Sequence, residues 1–88
     1  FLLIDNKVAV ISTGNFSKTY SIDLERNHVA TDRDPADLWD LHQMFEADWA
    51  GNGATFAMPC TRLVVSPINA RARIIDLINS AQSTLEIE

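Results

Sequence analysis

Asp5, Ser12, Thr13 and Asn15 place a carboxylate, two hydroxyls and a side-chain amide within the first fifteen residues. Amide and hydroxyl hydrogens donate to the oxygens of an anion, and a carboxylate accepts from a donor that must be held in place. None of these groups is a strong nucleophile without a paired base, so by themselves they bind and position. Two apolar runs, residues 1–4 and 8–11, carry them, and the turn-forming stretch Asp5-Asn6-Lys7 lies between. Short apolar runs split by turn formers predict a buried hairpin. The small polar residues that follow lie where a strand opens into a loop, the usual place for a site.

Other chemistry-bearing residues are scattered. His28 and His42 belong to no spacing pattern and are expected to be satisfied surface or core histidines. Cys60 is the single cysteine, which excludes an internal disulfide and offers no metal-ligand spacing; it reads as a small buried hydrophobe. Arg62, Arg71 and Arg73 form the one basic cluster, expected to be a solvated helix face.

The chain has 88 residues, with 7 basic and 12 acidic side chains and a net charge of −5. That length suits one small domain with a modest core. The negative balance weighs against a binder of the phosphate backbone, which needs clustered Lys and Arg. With 47% apolar and 22% charged residues the composition is that of an ordinary globular chain. No apolar run approaches the ~20 residues of a membrane-spanning helix.

The elements that must position these groups follow in order. Residues 14–23 read as a loop and 24–32 as a strand favoured by Val29 and Thr31. Asp34-Pro35-Ala36-Asp37 is a helix start: Asp34 caps, Pro35 needs no amide partner, and Asp37 faces the positive end of the dipole. Leu38, Leu41, Phe45 and Trp49, at steps of three, four and four, draw one apolar stripe, and Gly51 stops the helix, so it should span residues 35–49. Residues 61–65 predict a strand that stops at Ser66-Pro67. A helix capped by Ser66 or Asn69 should then bury Ile74, Leu77, Ile78 and Ala81. Residues 83–87, alternating at Leu85 and Ile87, predict a last strand and with it a βαβ unit. The expected class is α/β, in the order β-β-β-α-β-α-β with a mixed sheet.

The opening stretch resembles the phospholipase D superfamily, whose signature is H-x-K, four apolar residues, Asp, six residues, then G-S-x-N. Residues 1–4 fill the apolar places, Asp5 the aspartate and residues 6–11 the spacer; Ser12-Thr13-Gly14-Asn15 falls on G-S-x-N with Ser12 for glycine and Thr13 for serine. Phe45-Glu46-Ala47-Asp48-Trp49 is similar to the F-x-x-D-W with which a repeat's helix ends. Ser66-Pro67 and Ile78-Asn79-Ser80-Ala81 are similar to the opening of a following repeat. The resemblance implies a fragment of one phospholipase D-like domain that starts just after its first H-x-K. Residues 1–50 would end one repeat, 51–59 would link, and 60–88 would begin the next.

The resemblance also implies a chemistry. A histidine attacks phosphorus, a second protonates the leaving alcohol, and no metal or cofactor takes part. By position Asn15 would donate its amide to the phosphate, Thr13 would hydrogen-bond the histidine, and Asp5 would hold the strand and turn. For the family's orienting carboxylate Glu25 is the nearest candidate, while the pattern's place is closer to Asn27, an amide, so the orienting role stays unassigned. Ser12 departs from the pattern by setting a Cβ where glycine allows close backbone approach. The implied partner is a phosphodiester, phospholipid ahead of nucleic acid, and an excised piece with uncovered apolar surface is expected to oligomerise or exchange strands. The isolated piece, lacking the histidine and lysine, is expected to be inactive. The competing expectation is a non-catalytic α/β binding or structural module.

Overall fold

The computed structural model describes residues 1–14 and 26–87. The chain divides into two compact units, Phe1–Phe56 and Ala57–Glu88.

In the first unit, strands β1 (Leu2–Ile4), β2 (Val8–Ser12) and β3 (Val29–Asp32) form a three-stranded sheet in the order β1-β2-β3. Both pairings are antiparallel, with Leu3 opposite Ala9 and Ala9 opposite Asp32. Successive side chains alternate between faces, so Leu3, Ala9 and Asp32 share one face and Leu2, Val10 and Thr31 the other. Helix α1 (Pro35–Trp49) packs on β1 and β2. Fully buried Ala9 forms the core together with Leu38 and Leu41. The opposite face has no such cover among the described residues, and Leu2 and Ile4 remain about half exposed. The expected hairpin is therefore present, but it is not buried on both faces.

Helix α1 has the expected bounds because every signal that sets them is local. Asp34 is extended, and its Oδ1 accepts the Ala36 N–H at 2.9 Å. Gly51 takes the left-handed conformation just past the helix end, at φ +76°. A 15-residue helix is about 22 Å long and five-residue β2 about 17 Å, so α1 outruns the sheet. Phe45 and Trp49, the far half of the apolar stripe, are exposed and stack on each other with ring centres 6.0 Å apart. A 3-10 turn, Gly53–Thr55, packs against α1.

The second unit corrects the expected fold class. It contains helix α2 (Ala70–Asn79) and no strand among its described residues, so the order is β-β-β-α-α, the sheet is wholly antiparallel, and no βαβ unit forms. The cause is visible at residues 61–65, where local partners have taken the groups a sheet ladder would use. Leu63 N–H donates to Thr61 Oγ1 at 3.1 Å and Val65 N–H to Asn69 Oδ1 at 2.8 Å. Asn69 Nδ2 and Arg73 Nη1 both donate to the Leu63 carbonyl, and Arg73 Nη2 donates to the Thr61 carbonyl. The Val65 carbonyl accepts from the Asn69 and Ala70 amides. Asn69 stands at the cap position of α2, but its side chain is turned back to this loop and gives the helix no cap bond. Arg73 is likewise no solvated side chain; it clamps the loop.

Residues 83–87 have no ladder partner among the described residues, and Leu85 and Ile87 are exposed. The apolar stripe of α2 is uncovered too: Leu77 is 70% exposed, Ile74 49% and Ile78 39%. Ala81 lies beyond the helix end, and Cys60, expected to be buried, is exposed.

Candidate functional site

The motif spacing falls on structural lengths. Asp5 and Asn6, both at φ 52°, are the central residues of a β-turn closed by a 2.9 Å bond from the Lys7 N–H to the Ile4 carbonyl, within the three-residue loop between paired Ile4 and Val8. Positive φ at both central positions is the type I′ geometry, whose twist matches the flanking strands and which Asp and Asn tolerate better than other non-glycine residues. Asp5 is thus a turn residue, exposed at the hairpin tip.

Thr13 lies at the other end of β2. The five-residue strand β2, about 17 Å long, lies between the hairpin turn and Thr13, so Asp5 and Thr13 do not share a site. At Thr13 the sheet closes through a side chain. The Thr13 N–H donates to the His28 carbonyl at 3.1 Å, and the His28 N–H donates to Thr13 Oγ1 at 2.9 Å. The same hydroxyl donates to Asn27 Oδ1 at 3.2 Å. Ser12 Oγ accepts the Gly14 N–H at 3.0 Å, which bends the chain as it leaves the strand.

A hydroxyl has one hydrogen to donate and two lone pairs to accept with. Thr13 has used the hydrogen on Asn27 and one lone pair on His28. Among the described residues one accepting position remains, open to a further N–H and closed to an acceptor. Of the sequence-derived candidates, the structure brings together Thr13 and Asn27 and sets Asp5 apart. Asn15 and Glu25 lie outside the described residues.

A second cluster escaped the sequence reading. Lys7, just past the hairpin turn, and Arg33, just past β3, line one cavity with Trp39 and His42 of α1. The sheet register carries the signal: Ala9 pairs with Asp32, so residues 7 and 33 leave the sheet at the same end. No spacing in the sequence contains that information. Among the described residues, no group of three His, Cys, Asp or Glu is placed to hold a metal ion. No helix among them is long and apolar enough to cross a membrane.

Comparison with protein-family models, with curated proteins and with solved structures finds no match to this chain.

Proposed function

We propose that the chain is the phosphate-positioning part of a phospholipase D-like phosphodiesterase or phosphatidyltransferase. The catalytic histidines and lysine would come from sequence of a larger parent protein. One observation supports the reading above the rest: the spacing from Asp5 to Ser12-Thr13-Gly14-Asn15 spans one hairpin turn and one strand, with Thr13 fixed at the strand end by Asn27 and His28. In the proposed reaction a histidine nitrogen attacks phosphorus and the bond to the leaving alcohol breaks. A second histidine protonates that alcohol, and water or another alcohol then attacks the phosphohistidine. Asn15 donates to a phosphate oxygen, where negative charge builds. Thr13, with one lone pair left, accepts an N–H from the nucleophilic histidine and so holds its ring. Phospholipid is proposed ahead of nucleic acid as the parent's substrate.

The test is turnover of bis(p-nitrophenyl) phosphate by the 88-residue chain and by its parent. The parent should turn over and the isolated chain should not, since Thr13 and Asn15 have no base to activate them. Hydrolysis by the purified chain alone would overturn the assignment. The uncovered side chains Ile74, Leu77 and Ile78 support a further part of the reading, that the isolated chain associates with itself or exchanges strands. Sedimentation at micromolar concentration should show a dimer or larger species, and a monomer would refute this part.

The Thr13 geometry also favours a second reading, a non-catalytic module. The hydroxyl already ties β2 to residues 27 and 28, which is sufficient structural reason for a threonine there. An inactive parent that needs Thr13 only for stability would select this reading.

A further inference from the structure

The cavity at the turn end of the hairpin has a volume of about 410 Å³, within the roughly 300–1,000 Å³ range of small-molecule sites. Three parts of the first unit build it. The type I′ turn presents Asn6 and Lys7, the chain leaving β3 presents Arg33, and α1 presents Trp39 and His42 above buried Leu38. Trp39 and His42 are three residues apart on the helix and therefore neighbours on one face, with ring centres 6.3 Å apart and planes inclined at 49°.

The charge of this lining is opposite to that of the chain. The whole sequence holds 12 acidic and 7 basic residues, yet among the described residues two basic side chains and no acidic one line the cavity. Asp34, at the start of α1, accepts the Ala36 N–H. Lys7 and Arg33 line one space that has no carboxylate among its described lining residues, and such a pair attracts an anion. Trp39 is 63% exposed although it sits on the helix that carries the core. That exposure leaves aromatic surface for a planar ligand.

We propose that this cavity binds a small phosphorylated ligand with a planar ring, of the nucleoside monophosphate class. Arg33 and Lys7 take the phosphate, Arg33 through its planar fork and Lys7 as a point charge, while the base stacks on Trp39 beside His42. This goes beyond the phosphodiesterase reading and does not depend on it, because the cavity lies at the opposite end of β2 from Thr13.

The test uses the full chain with Trp49→Phe, which leaves Trp39 as the one tryptophan. AMP should quench its fluorescence saturably at millimolar concentration or below. Adenosine and inorganic phosphate should each bind about tenfold more weakly or worse, because each keeps only half of the recognition. Lys7→Gln and Arg33→Gln should each weaken AMP about tenfold, the loss expected for one charge-assisted hydrogen bond. Both side chains are exposed, and far-UV circular dichroism verifies that the fold is kept. Absence of saturable quenching overturns the proposal, as does equal affinity for AMP and adenosine or unchanged affinity in both variants. A six-nucleotide oligoadenylate separates the two sources of this chemistry. AMP should compete with it, and oligomer binding that AMP does not displace would also overturn the proposal.

Discussion

Asp34→Ala removes the bond from the Ala36 N–H to Asp34 Oδ1 at 2.9 Å and leaves a first-turn amide without its acceptor. Loss of a side-chain cap lowers stability by about 1 kcal/mol, within a range of about 0.5–2. The effect should reach the core, because Leu38 and Leu41, which cover Ala9, lie within the first two turns after the cap. The Asp34 N–H bond to Asp32 Oδ1 at 2.8 Å survives the change, so the chain's entry to the helix is kept. Both tryptophans are on α1, and their fluorescence in a urea titration therefore reports on this helix. With an m-value of about 1 kcal/mol/M, the midpoint should fall by about 1 M. Asp34→Asn keeps an acceptor and loses only the charge, so its loss should be limited to the dipole contribution, about 0.3–1 kcal/mol and smaller in high salt. A midpoint unchanged in Asp34→Ala, or an Asp34→Asn as damaging as Asp34→Ala, would refute the hydrogen-bonded cap.

The remaining predictions separate what is packed from what is merely apolar. Leu41→Ala should cost about 2–5 kcal/mol by denaturation, since Leu41 is 3% exposed; Leu77→Ala, at 70% exposed, should stay within about 0.5 kcal/mol at concentrations too low for self-association. Equal losses in the two would show that α2 is covered in solution. Thr13→Val should cost about 0.5–1.5 kcal/mol by removing the acceptor of the His28 N–H and the donor to Asn27, and Thr13→Ser should recover most of it. A neutral Thr13→Val in the same titration would contradict the strand-end tie.

What was legible in the sequence was what local chemistry decides. The capping Asp34, the first-turn Pro35 and the terminal Gly51 lie at the ends they control, and helix α1 has the expected bounds. Asp5-Asn6 names its own turn in the same way. Residues 61–65 misled because an apolar, β-branched run expresses a preference for burial, whereas a strand also needs a partner for its amides and carbonyls. Asn69 and Arg73 supply those partners from the following helix. The stripe of α2 misled for a related reason: periodicity identifies an apolar face and says nothing of what lies against it. At the candidate site, the approach of Thr13 to Asn27 depends on how β2 and β3 pair. So does the convergence of Lys7 and Arg33 at the other end of the sheet. Side-chain spacing along one chain carries neither.

The central claim, that Thr13 and Asn15 position a phosphodiester, is tested most directly by Asn15→Ala in the parent protein. Turnover of bis(p-nitrophenyl) phosphate should fall by roughly 10²–10³, the effect of removing one preorganised donor from a developing oxyanion, with the urea midpoint unchanged. An Asn15→Ala parent that is folded and fully active would contradict the claim.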